Sequence, residues 1–133
     1  MNKLIDTSTK IALKLNSAID KSYRHFAFIF VRNKLLSIGQ NNMESTSGFT
    51  YQIGKRFNVE HNKEFPYIHA EIDAISRLWG KTHIGPRMSL VSLRLNKYGE
   101  YRRSKPCVNC TKVLDSLGLT VIYFDGEFKC KKN

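Results

Sequence analysis

His69 and Glu71 stand two residues apart in His69-Ala70-Glu71, and the chain later reads Pro106-Cys107-Val108-Asn109-Cys110, its first cysteine thirty-eight residues past that histidine. Together the two segments offer one imidazole, two thiolates and a carboxylate. One nitrogen and two sulfur ligands suit a catalytic zinc site that leaves its fourth position open to water. His69, Cys107 and Cys110 are therefore the expected ligands, holding about one Zn2+ per chain. Glu71 is not a ligand in this reading. A carboxylate beside an activated water is suited to taking its proton and returning it elsewhere.

Each segment alone has an ordinary explanation. A histidine and a glutamate in this spacing occur at many helix starts. A single Cys-x-x-Cys serves redox proteins and half-sites of structural zinc equally well. The redox motif is expected after the first strand of a βαβ unit, whereas this one follows the third expected strand. A closed structural site needs a fourth ligand. Cys130, His61, His83 and His25 could supply it, but none stands in a paired ligand spacing. The two segments together, in this order, favour the open catalytic site.

Geometry then dictates the elements. Residues two apart in mid-helix point to nearly opposite sides, so His69 and Glu71 share a pocket only at a helix start. Pro66 fits that placement. A second helix is expected over 70–79, with Ile72, Ile75 and Leu78 at three-residue spacing, Trp79 packing at its end and Gly80 stopping it. Cys107 and Cys110 fall on one face of the first turn of a third helix, running from Pro106 to Gly118. The positive end of that helix and its unpaired amides stabilise thiolates. Upstream, Asp6, Thr7 and Ser8 are candidate caps of a first helix whose apolar stripe is Ile11, Leu15 and Ile19. A buried strand over 26–31 turns through Arg32-Asn33-Lys34 into an antiparallel strand over 35–39. Residues 40–65 read as a long loop with at most a short helix. Strands follow at Met88–Leu95 and Thr120–Phe124, and Asp125-Gly126 turns the chain into a short antiparallel fifth strand over 127–130. This order predicts an α/β fold, a mixed sheet of four to five strands with helices on both faces.

Composition sets the bounds. The chain of 133 residues, 41% hydrophobic and 25% charged, is expected to form one globular domain over 1–133. No repeat or Pro/Gly-rich linker divides it. No apolar run approaches the roughly 20 residues that span a bilayer, so no membrane is expected among its partners. The first residues, Met1 to Asp6, lack the apolar core of a signal peptide. Three cysteines cannot all pair within one chain, which speaks for thiols in the cytoplasm or another reducing compartment. Twenty-two basic against eleven acidic residues give a net charge of +11, which favours a phosphorylated partner, either a nucleotide or single-stranded nucleic acid.

The pattern H-x-E followed by P-C-x-x-C is the signature of zinc-dependent nucleobase deaminases, and the chain resembles the cytidine and deoxycytidylate deaminase superfamily. His69-Ala70-Glu71-Ile72-Asp73-Ala74-Ile75 is similar to that family's metal helix, and Pro106-Cys107-Val108-Asn109-Cys110 to its second. The resemblance runs from about residue 8 to 125. It implies a three-layer α/β/α sandwich, zinc-activated water and hydrolytic deamination. The substrate implied first is the cytosine of a deoxycytidylate-like nucleotide, converted to the uracil form with release of ammonia. Glu71 would carry the proton to the ring nitrogen and assist the departure of ammonia. An alternative is a deaminase of cytosine or adenine in single-stranded DNA or RNA. Another is a catalytically silent zinc-binding nucleic-acid module, against which the intact Glu71 speaks. The family places an asparagine after its second strand against the sugar, and Asn41 or Asn42 stands there; both also read as turn-capping residues. Family members often assemble as homo-oligomers.

Two departures matter. Residues 40–68 hold no cysteine and only His61, so the second zinc of many deoxycytidylate deaminases is not expected. The Asp125-Gly126 hairpin ending is closer to the free-cytidine branch. Further substrate contacts are expected among Arg94, Lys97, Tyr98, Tyr101, Arg102, Arg103 and Lys105, and above all at Arg102, Arg103 and Lys105, where basic and aromatic residues precede the cysteines. The same stretch also reads as a solvated charged loop.

Overall fold

A computed structural model of the chain describes residues 1–18, 24–46, 48–57 and 67–132. The elements run α1 (Asn2–Ser17), β1 (His25–Val31), β2 (Lys34–Gln40), β3 (Asn42–Thr46), α2 (Gly48–Arg56), β4 (Tyr67–Ile68), α3 (Ala70–Ser76), β5 (Met88–Leu95), β6 (Tyr101–Arg102), α4 (Val108–Leu117), β7 (Thr120–Phe124) and β8 (Phe128–Lys131). The main sheet has the order β2-β1-β5-β7-β8. Its β1–β2, β1–β5 and β7–β8 pairs are antiparallel and β5–β7 is parallel. A parallel pair needs a crossover, and α4 supplies it.

Alternation along the strands sorts the core into two layers. Phe26, Phe28 and Phe30 of β1 join Val91 and Leu93 of β5 in a cluster with Leu4, Ile5 and Ala12 of α1. Ala27, Ile29 and Leu90 face the other way, into a cluster with Ile72 and Ile75 of α3, Val113 and Leu114 of α4 and Ile53 of α2. Helices thus cover both faces of a mixed sheet, the α/β/α arrangement expected. No helix among the described residues is long and apolar enough to cross a membrane.

The structure corrects four expectations. The main sheet has six strands rather than four to five. The extra one is β6, a two-residue strand inside the supposed charged loop, set opposite Arg94 and Leu95. It can form because β7 pairs only with Ser89, Leu90 and Val91, leaving that edge of β5 open further on. The first helix starts at Asn2, so Asp6, Thr7 and Ser8 lie inside it. Leu4 and Ile5 continue the buried stripe of Ser8 and Ala12, and tertiary burial carries the helix past its local capping signals. The loop read over 40–65 holds the short helix allowed for there, α2, but also an unexpected strand, β3, which pairs with β4 in a separate two-stranded sheet. The helix expected over 70–79 closes at Ser76, its next residues continuing as turns. Ile19, His61 and Pro66 lie outside the described residues.

Candidate metal centre and active site

Two helix starts meet at one point. His69 is the N-cap of α3, with extended backbone at φ −92° and ψ 144°, and Glu71 is in the first helical turn. The break in backbone conformation lets side chains two apart face the same space. Cys107 is the N-cap of α4, at φ −65° and ψ 168°. Its Sγ accepts from the Cys110 backbone N–H at 3.4 Å, as a capping serine or aspartate oxygen would. Pro106 therefore lies before the cap, two positions upstream of the first helical residue, Val108, whose place it was expected to take.

The Sγ of Cys107 is 3.9 Å from Nδ1 of His69. The ligand atoms of His69, Cys107 and Cys110 all lie within 4.8 Å of one another. Tetrahedral zinc, with bonds of roughly 2.0–2.3 Å, sets a sulfur–nitrogen edge of about 3.6 Å, so the donor set fits zinc after small adjustments. Neither Cys130 nor His83 belongs to this group; both are exposed. Cys130 lies on β8 opposite Ile122. The two thiols are poised differently. Hydrogen bonding from Cys110 pulls Cys107 down to about 4, helped by His69 and opposed by burial. The same bond, with burial and the negative Glu71, pushes Cys110 well above the ordinary thiol range. Without metal the pair holds one thiolate and one thiol.

Glu71 is 1% exposed, and among the described residues its Oε1 has no hydrogen-bond partner. A buried, unsatisfied acceptor costs about 1–3 kcal/mol, a cost expected where a partner arrives during function. A basic group stands close by: Nε2 of His25 is 3.6 Å from that oxygen.

These groups line a pocket of about 670 Å³ together with His25 and Asn41; Glu71 is buried, and His69, Cys107, His25 and Asn41 are half-buried. Arg94, Arg103, Lys105 and the exposed Val108 form the mouth. Asn41 is held by two bonds to the backbone of His25: its Oδ1 accepts from the His25 N–H and its own N–H donates to the His25 carbonyl, each at 3.2 Å. The amide nitrogen of its side chain is thus the end left for the pocket. Asn42 belongs to β3, opposite Ile68, outside the lining. Arg102 also lies outside the lining, opposite Arg94 across β5 and β6. Arg103 reaches Asp125 at 3.4 Å. Tyr101 is no stacking platform: its hydroxyl is 2.7 Å from Thr9 Oγ1 and its ring packs on Phe124 and Phe128. Lys97 and Tyr98 pair with each other away from the pocket.

In the sequence His25 stands out only as a rival ligand, and Ser104 does not stand out at all. A histidine heading an otherwise apolar strand was the available signal. Ser104 had none, since it is one polar residue among Arg102, Arg103 and Lys105.

No protein-family model and no curated protein matches the chain. Among solved structures, the crystal structure of cytidine deaminase from Burkholderia pseudomallei is similar, with a TM-score of 0.52 and 15% sequence identity, over 95% of this chain and 91% of that one. At this identity the likeness is one of fold, and it spans nearly the whole of both chains.

Proposed function

We propose that this chain is a zinc-dependent hydrolytic deaminase acting on the cytosine of a deoxycytidylate-like nucleotide, giving the uracil form and ammonia. The observation that carries the reading is the convergence of His69, Cys107 and Cys110 beside a buried carboxylate, Glu71, whose Oε1 has no hydrogen bond among the described residues. Zinc held by those three residues would lower the pKa of water toward neutrality and so supply a nucleophile. Glu71 accepts a proton from the attacking water and delivers it to the ring nitrogen of the base. It then assists the leaving amino group, which departs as ammonia while the carbonyl oxygen comes from water. Asn41 offers its amide to the sugar. Arg94, Arg103 and Lys105 at the mouth suit a phosphate. The similarity of fold to a cytidine deaminase supports the substrate class.

The excess of positive charge favours a second reading, deamination of cytosine or adenine in single-stranded DNA or RNA. An ammonia-release screen on zinc-loaded protein separates them. Cytidine, deoxycytidine, their mono- and triphosphates and single-stranded oligonucleotides are the substrates to compare. Turnover of monophosphate well above nucleoside and oligonucleotide is the expected result. Zinc binding without turnover of any substrate would leave a silent zinc module.

A further inference from the structure

His25 heads β1 and lies in register with Arg94 of β5. Its side chain is 12% exposed, with Nε2 3.6 Å from Glu71 Oε1 and 2.7 Å from Ser92 Oγ. Two serines determine which ring nitrogen carries the proton. Ser92 Oγ donates to the Ser104 carbonyl and Ser104 Oγ donates to the Ser92 carbonyl, both at 2.7 Å. Ser104 Oγ also accepts from the Phe124 N–H at 2.9 Å. A hydroxyl has one proton, and each of these protons is committed to a carbonyl, which can only accept. Ser92 Oγ must therefore accept from His25. Nε2 carries the proton toward Ser92 Oγ, and the same nitrogen is 3.6 Å from the orphaned oxygen of Glu71.

We propose that His25 is the positioning residue of Glu71: its Nε2–H, shared with Ser92, is the donor for Glu71 Oε1 and leaves Oε2 to handle the proton. The assignment rests on the reading of Glu71 as the proton carrier. A closure of about 0.6 Å brings the contact to ordinary hydrogen-bond length, and among the described residues no other donor bonds that oxygen. The ring stays a neutral, single-proton donor, because burial lowers its pKa against the pull of Glu71. Arg94 on β5 and His69 before α3 also lower it, while Cys107 before α4 raises it.

Long-range proton–nitrogen spectra of zinc-loaded, 15N-histidine-labelled protein test the pairing without a substrate. His25, assigned by its loss in His25→Gln, should show the Nε2–H tautomer, and Glu71→Gln should move its resonance. In kinetics, His25→Leu should lower kcat about tenfold with little change in KM. His25→Gln, whose amide N–H reaches the same place, should restore most of that loss. An Nδ1–H tautomer, an unmoved resonance in Glu71→Gln, or unchanged kcat in His25→Leu would each overturn the proposal. If His25→Leu does not fold, the spectra still decide. A wild type that releases no ammonia, with the His25 resonance still responding to Glu71→Gln, would sink the deaminase reading and uphold the pairing.

Discussion

On the proposed zinc reading, the paired cysteines set the proton stoichiometry of metal binding. Cys107, pulled down to about 4, is already a thiolate at neutral pH. Cys110, pushed up by its bond to Cys107 and by burial, keeps its proton. A metal taking both sulfurs must therefore displace one proton, present in the free site and absent in the loaded one, so affinity rises with pH. Competition with a chromophoric chelator should show zinc affinity increasing about tenfold per unit between pH 7 and 8. A slope of two protons would break the shared-proton picture. Cys107→Ala or Cys110→Ser should lose the metal, and with it the roughly 3 kcal/mol that zinc adds at a hundredfold excess over Kd. Cys130→Ser, altering an exposed thiol, should keep both, and metal loss there would point to a closed structural site. Glu71→Gln should retain fold and zinc, checked by metal analysis, while kcat falls about 10²–10⁴-fold.

α3, which carries Glu71 and follows His69, lies unusually close to β2. A Cβ on Gly39 would run into the Ala70 carbonyl oxygen and the Ala74 nitrogen, and come to 2.9 Å from the Ala74 Cα. Ser37 Oγ donates to the Ala74 carbonyl at 2.7 Å and the Gln40 N–H to Asp73 Oδ2 at 3.0 Å, pinning the helix over that glycine. Gly39→Ala should cost about 1–3 kcal/mol in urea unfolding and weaken zinc binding, because α3 carries Glu71 and follows His69. Full stability in that variant would show that the close approach is not needed. Little of this contact could be read in advance, although β5 and β7 were placed to the residue as apolar runs bounded by turn signals. The candidate ligands His69, Cys107 and Cys110, which the fold brings together, were readable for the same local reason, since each motif lies within one helical turn. β3 escaped notice because its partner β4 is distant in the chain and its residues, Asn42-Met43-Glu44-Ser45-Thr46, are mostly poor strand formers. β6 exists only by virtue of an open sheet edge. His25 gains its meaning from Ser92, sixty-seven residues on, and no sequence window holds both.

Charge is distributed over the molecule in a way that bears on the substrate. Arg94 and Arg102 face each other across β5 and β6 with no ion pair to a carboxylate among the described residues, an arrangement that destabilises a sheet unless an anion joins it. Arg103 and Lys105 stand beside Arg94 at the pocket mouth. A second basic group, Arg32, Lys34 and Arg87, lies at the other ends of β1 and β5, roughly 20 Å away at the rise of a strand. A nucleic-acid strand would have to run the length of the sheet to use both groups, whereas one phosphate is served by the mouth alone. That division favours a mononucleotide. Replacing Arg94 and Lys105 together by Ala should raise KM for the monophosphate at least about tenfold, leaving nucleoside kinetics nearly unchanged, because only the phosphate loses its partners. On the polynucleotide reading, the same double variant should instead flatten the salt dependence of oligonucleotide binding by about 1.4 in slope, two single-strand contacts' worth. Steady-state kinetics and a salt titration of binding, run on one pair of proteins, decide between them. Unchanged monophosphate KM together with an unchanged slope would show that the mouth is solvated surface, and would move the search for the phosphate to the amide of Asn41 and the wall behind it.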